Sequence, residues 1–302
     1  GLAQRADVAM YSAKRSGVGV SLYSSEHDQS SVRRLALLGE LRNAIADGEL
    51  ILHYQPSLDL DTGEAHSCEA LVRWEHPERG VLSPLAFLPV ARRVGLMQQL
   101  SEAIVKQAIS DAAAWHREGL ELNVAINVAP PELLSGALMP VVYRALERSP
   151  VPLDGITIEV TEDTFINDPE HARDLLIDIR RHGLRTSIDD YGTGFSSLAY
   201  LRDLPLSELK MDRSFVSSVL TDPRSRTIVE STINMAHALD LHVVAEGVES
   251  QEVADAVTSL GVDVLQGYFI APPMRAFDVA DWAADWNRPA MRVVGRADGP
   301  SA

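Results

Sequence analysis

From about residue 50 to residue 286, short runs rich in β-branched residues alternate with longer stretches in which apolar residues return every three or four positions. The first pattern predicts strands and the second amphipathic helices. Eight strands are expected, over Leu50–Leu58, His66–Trp74, Asn123–Ala129, Gly155–Glu162, Leu184–Asp190, Leu206–Asp212, His242–Glu246 and Val262–Phe269. Helices are expected over Val32–Asp47, Gln98–Glu118, Pro131–Arg148, Pro169–His182, Asp222–Leu239 and Gln251–Leu260. Gly119, Gly183 and Gly261 stand where a left-handed C-cap is wanted before the next strand. The first two strands are joined by Asp59 to Ala65, too short for a helical crossover, so they should pair antiparallel. The pattern fits an α/β fold, a TIM-like (β/α)8 barrel with an antiparallel first strand pair, better than an open sheet.

The ends differ from the middle. Residues 2–16 have helical spacing and Val18–Tyr23 alternates, but one helix and one strand cannot bury a core. After Trp286 apolar periodicity is lost and Gly and Pro accumulate. The expected division is an N-terminal fragment over 1–24, a linker and leading helix over 25–48, the barrel domain over 49–286 and a disordered tail over 287–302.

With 27 Lys plus Arg against 43 Asp plus Glu, the net charge is −16. Such a surface repels a nucleic-acid polymer, whose binding relies on Lys and Arg replacing condensed counterions. A small phosphorylated ligand stays possible where metal ions supply the positive charge. The single cysteine, Cys68, can form no internal disulfide and has no zinc-type spacing, which reads as cytoplasmic. No membrane segment and no signal peptide are expected, because no long uncharged apolar run occurs. A start at Gly1 is expected of a piece of a longer chain, whose membrane anchor, if it has one, lies elsewhere.

Polar residues recur toward the C-terminal ends of the expected strands: Glu69, Asn127, Glu159 and Glu162, Asp189 and Asp190, Lys210 and Asp212, Glu246, and Gln266. In a barrel those ends converge on the face where chemistry is placed. Any one of these acids alone is more often a solvated rim residue, and Lys210 alone could reach to solvent on its long stem. Jointly, converging carboxylates cannot all stay ionised in a dry site without a compensating cation. An oxygen-only donor set favours Mg²⁺ or Mn²⁺ over zinc, and the adjacent Asp189 and Asp190 suggest two ions sharing a carboxylate. The histidines form no pair at ligand spacing, and the tryptophans read as packing anchors.

The block Glu69-Ala70-Leu71-Val72-Arg73-Trp74 resembles the signature of the EAL-domain cyclic-di-GMP phosphodiesterases. Tyr54-Gln55-Pro56 precedes it. Asn127-Val128-Ala129-Pro130, Glu159-Val160-Thr161-Glu162, Asp189 to Gly194, Leu209 to Asp212, Ala245 to Glu249 and Gln266-Gly267-Tyr268 follow in the family's order. The resemblance spans about residues 33–286 and implies hydrolysis of cyclic-di-GMP to linear 5′-pGpG with two divalent cations, Mg²⁺ or Mn²⁺. It implies that Glu69, Asn127, Glu159 and Asp189 ligate one ion, and Asp189, Asp190 and Glu246 the second. Lys210 and Gln266 resemble residues that hold the attacking water and complete the site. Glu162 resembles the glutamate that tethers the loop after Asp190, and Gln55, Leu71, Arg73 and Asp212 resemble substrate contacts. A homodimer through the domain is a family expectation.

Departures are aromatic exchanges at Tyr191 and Phe195, and Ala129 where Ser is frequent; no ligand position is lost. The alternative is a catalytically silent cyclic-di-GMP receptor, whose usual mark is loss of several acids. Arg5 to Lys14 is similar to the closing helix of a GGDEF diguanylate cyclase domain, and no Gly-Gly-Asp-Glu-Phe occurs in the chain.

Overall fold

The computed structural model describes residues 37, 39–149, 151–166, 168–194 and 198–286. The expectations for a GGDEF-like fragment over 1–24, for the linker that follows it and for a tail over 287–302 lie outside the described residues.

The strands are β1 (Leu50–Asp59), β2 (Ala65–His76), β3 (Gly80–Leu82), β4 (Asn123–Asn127), β5 (Ile156–Thr161), β6 (Arg185–Tyr191), β7 (Glu208–Met211), β8 (His242–Ala245), β9 (Val264–Gln266) and β10 (Met274–Arg275). From β2 through β4, β5, β6, β7 and β8 to β9 every pairing is parallel. β1 runs antiparallel to β9 and also pairs with β2, which closes an eight-stranded barrel. The expected antiparallel first pair is present, turned by the short link in which the Gly63 N–H donates to the Asp59 carbonyl at 2.9 Å. The short strands β3 and β10 pair antiparallel alongside β2 and β1 and carry too few residues for a periodic signal.

Helices Met97–Arg117, Pro169–Arg181, Pro223–Ala238 and Gln251–Ser259 follow the apolar periodicity. Gly119, Gly183 and Gly261 have φ of +81°, +90° and +97°, as their C-cap positions require. One expectation is corrected: Pro131–Arg148 is two helices, Pro130–Leu134 and Met139–Arg148, separated where Gly136 turns to positive φ. Another helix, Pro84–Arg93, escapes the sequence pattern because Pro89 lies inside it.

Residue contacts divide the chain into two compact units. The smaller runs to Ile51 and resumes over Arg73–Leu100; the larger comprises Leu52–Val72 and everything from Ser101. Within the smaller, Trp74 is fully buried, packs edge-on against Phe87 at 5.9 Å and donates from Nε1 to Glu49 at 2.9 Å. A helix over 39–47 supplies Glu40, which lies 3.0 Å from the buried His76. Within the larger, strand residues alternate between an apolar outer face, such as Ile158, Leu209 and Val243, and a mainly polar inner face that also holds Ala125 and Val244. Among the described residues no helix is long and apolar enough to cross a membrane.

Candidate active site

The inner face of the larger unit converges on one amine. Lys210, on β7, is 2% exposed. Its Nζ lies 2.7 Å from Glu246, 3.0 Å from Glu159, 3.1 Å from Glu69 and 3.3 Å from Asp189. These acids follow β8, lie on β5 and β2, and sit near the end of β6. Glu69 is fixed further: Asn127 Nδ2 donates to its Oε1 at 2.7 Å, and Gln266 Nε2 to its Oε2 at 2.8 Å.

A regular strand would point Asp189 and Asp190 to opposite faces. Between β6 and β7 the register shifts from Ile188 opposite Leu209 to Tyr191 opposite Met211, so two aspartates stand against the single Lys210. Asp190 takes φ +53°, a left-handed conformation that Asp tolerates better than most residues. The bulge accounts for both carboxylates reaching the same acid cluster. Beyond it, Glu162 Oε1 accepts the Gly192 N–H at 2.6 Å, pinning the start of the loop after β6.

One ammonium among four carboxylates leaves an excess of negative charge in a buried volume. Burial pushes the Glu159 carboxyl well above its ordinary value, with Lys210 opposing only in part. Burial likewise raises Glu246, to about 8 despite Lys210, and raises Asp190 together with the charge of Asp189. For Glu69 burial acts upward, but Lys210 and the bonds from Gln266 and Asn127 outweigh it and hold the carboxyl low. Burial alone would lower the Lys210 amine; the surrounding acids, Glu159 first, keep it well above its usual value and charged.

Glu159 Oε2 is buried without a hydrogen-bond partner among the described residues, and Asp189 Oδ1, though near Lys210, also makes no hydrogen bond. Two groups of acids bring one oxygen each to within 4.8 Å of one another: Glu69, Glu159 and Asp189, and Asp189, Asp190 and Glu246. Asp189 belongs to both. This all-oxygen donor set with unsatisfied buried carboxylate oxygens fits divalent metal ions.

A cleft of about 360 Å³ opens on the cluster, lined by Glu69, Asp189, Asp190, Glu246 and Gln266. Gln55 also lines it and donates to the Ala271 carbonyl at 3.2 Å. Asp212 lies just past β7 rather than within a strand, and its carboxylate caps helix Arg213–Val216 by accepting the Ser214 N–H at 2.9 Å. Leu71 and Arg73 follow Glu69 on β2 at two-residue spacing, and Arg73 belongs to the smaller unit. Arg213, Glu249 and Tyr268 line the cleft as well; Glu249 and Tyr268 stand in the family blocks without an assigned role, and Arg213 lies outside those blocks. The available signal is position: each stands within three residues of a recognised strand-end residue.

Residues 38–273 match the family model of the EAL domain. The chain is 38% identical over 282 residues to an uncharacterized signaling protein of Caulobacter vibrioides, covering 93% of this chain and 34% of that one. It is 34% identical over 271 residues to the cyclic di-GMP phosphodiesterase PA2567 of Pseudomonas aeruginosa, covering 89% and 46%. Among solved structures, the PaMucR phosphodiesterase in its c-di-GMP complex superimposes with a TM-score of 0.78 at 37% identity, over 81% of this chain and 99% of that chain. The chain thus spans about a third to a half of the length of the curated relatives it matches.

Proposed function

Because the chain belongs to the EAL domain family, we propose that its domain over 49–286 hydrolyses cyclic-di-GMP to linear 5′-pGpG in bacterial second-messenger signalling. The observation that carries this reading is the pair of acid groups sharing Asp189 around the buried Lys210. Relatives named as cyclic di-GMP phosphodiesterases support it.

Two divalent cations, Mg²⁺ or Mn²⁺, are assigned to Glu69, Asn127, Glu159 and Asp189 on one side and to Asp189, Asp190 and Glu246 on the other. When bound they acidify water and neutralise charge developing on the phosphoryl oxygens. The residues of the chain position. Water oxygen attacks phosphorus, the bond from phosphorus to the 3′ oxygen breaks, and that oxygen leaves protonated, which yields a 5′-phosphate end. Lys210, held charged by its four acids, donates a hydrogen bond that orients the attacking water. Gln266 and Asn127 keep Glu69 in place, and Glu162 restrains the loop that follows Asp190. Gln55 and Arg73 hold the guanylyl unit, Arg73 through two parallel hydrogen bonds, with Leu71 and Asp212 beside them. The domain is assigned to the cytoplasm and to a homodimer on the family resemblance.

The test is incubation with cyclic-di-GMP and Mg²⁺ or Mn²⁺, following pGpG. Glu69→Ala is expected to lower turnover by on the order of a hundredfold or more, with cooperative thermal unfolding retained. Undiminished turnover in that variant would refute the assignment. Ca²⁺ alone should support turnover poorly, since it prefers six to eight looser ligands. Saturable binding with no pGpG formed would select the receptor alternative.

A further inference from the structure

The smaller unit holds a buried polar cluster that the mechanism above does not use. It lies around the end of β2, and Arg73 is the first residue of that strand to belong to this unit. The next three residues, Trp74, Glu75 and His76, are each tied to one stretch of chain, the helix over 39–47 and the turn that leads from it into β1. Trp74 Nε1 donates to Glu49 Oε2 at 2.9 Å, and the Glu75 N–H donates to the Glu49 carbonyl at 2.8 Å. His76 accepts the Glu78 N–H on Nδ1, so its Nε2 carries the hydrogen that faces Glu40 Oε2 at 3.0 Å.

Glu49 is the centre of this arrangement. Gly48, at φ +76°, turns the chain out of the helix, and the Glu49 N–H donates back to the Ala44 carbonyl at 3.0 Å, so the Glu49 backbone is held on both sides. Trp74 is fully buried, with the rings of Phe87 and His76 at 5.9 and 5.0 Å. Without the Glu49 oxygen its indole N–H would be a buried donor left unpaired, and the ring would shift toward another acceptor. Neighbouring residues of a strand share one pleat, so Arg73, on the opposite face from Trp74, would shift with it. A guanidinium is sensitive to such a shift, because its two parallel hydrogen bonds need the planar fork in one orientation. A misplacement of about 1 Å can cost up to about a hundredfold.

We propose, resting on the functional reading above in which Arg73 holds the guanylyl unit, that Glu49 is a positioning residue for Arg73. By holding the Trp74 indole, Glu49 sets where the Arg73 guanidinium stands when the substrate binds. Glu40 acts in the same way but more weakly, since it reaches His76, three residues from Arg73, and its side chain is 39% exposed.

The experiment follows pGpG formation in Mn²⁺ alongside calorimetric titration of cyclic-di-GMP in Ca²⁺. Glu49→Ala is expected to raise KM about tenfold and to weaken binding by a similar factor, with kcat within about threefold of the parent. Glu49→Gln keeps an oxygen for the indole N–H and should return KM to within about threefold of the parent. On an Arg73→Ala background, Glu49→Ala should add less than about twofold, as expected of two residues that act through one contact. Hydrolysis of bis(p-nitrophenyl) phosphate, which has no guanylyl unit, should change by less than about twofold. Should Glu49→Ala lose cooperative unfolding, Glu49→Asp keeps the charge and withdraws the oxygen by one carbon, and the same rise in KM is expected of it. A KM within about twofold of the parent in the Ala or Asp variant, equal losses on both substrates, or losses that add in full on the Arg73→Ala background overturn the proposal. If the unsubstituted protein neither binds nor hydrolyses cyclic-di-GMP, the functional reading fails first and this proposal with it.

Discussion

The two faces of the barrel strands in the larger unit differ in kind. Outward, toward the helices, stand Cys68, Ala70, Ile126, Ile158, Leu209 and Val243, all buried and apolar. Inward stand Ser57, Ser67, Thr157, Ser187, Glu159 and Lys210, and among these even the fully buried positions are polar. Barrel interiors are more often filled by Val, Ile and Leu. At the strand starts the polar column continues: His66 Nε2 lies 3.0 Å from Asn123 Nδ2 and 3.5 Å from Arg185 Nη1. Burial, with the Arg185 charge, pushes the His66 pKa down. The apolar burial that favours folding thus lies mainly on the outer face, and the interior is left to hold charge.

Leu209 and Lys210 are adjacent residues on opposite faces, and substituting each in turn tests that division. Lys210→Met leaves four acids without their common cation. We expect turnover to fall on the order of a hundredfold or more, and the metal-free protein to lose about 3–5 kcal/mol, read from urea denaturation. Added Mn²⁺ should restore part of that stability. Unaltered metal-free stability would show that the cluster is not held as the distances indicate. Leu209→Ala should cost about 2–5 kcal/mol in the same denaturation assay while the folded fraction keeps its turnover. Loss of turnover with no loss of stability would erase the distinction between the faces.

A smaller effect is expected where the outer side carries a polar exception. Asp111, on helix Met97–Arg117, accepts the Tyr54 hydroxyl at 2.6 Å. Burial raises the Asp111 pKa against the opposing hydrogen bonds from Tyr54 and Gln107. The folded state therefore holds this proton more tightly than the unfolded one. The resulting stability is present below the ordinary carboxylate range and declines as pH rises through the folded value. Asp111→Asn should flatten that slope in denaturation curves taken across acid pH and leave pGpG formation intact. An unchanged slope would assign the pH dependence to the inner acids.

Much of the fold could be read because from β4 to β8 each strand is followed by a helix of different period, and because Gly119, Gly183 and Gly261 mark helix ends before the next strand. The acids were legible as strand-end residues. What escaped was local or lacked a period: the two-residue β10, the helix containing Pro89, the break at Gly136, the cleft residue Arg213, and the place of Glu249 and Tyr268 in the cleft wall. The fate of Lys210 was also open, since a lysine stem reaches water as easily as it reaches a carboxylate.

By itself, then, the sequence determined the alternation of strands and helices, the antiparallel first pair and the identity of the acids, because periodicity and residue type are local properties. Tertiary structure alone decided that Lys210 is buried among four carboxylates from four different segments, and that a bulge aligns two neighbouring aspartates against it. Those outcomes depend on distances between residues as far apart in the chain as Glu69 and Gln266, which barrel closure sets and no stretch of sequence contains.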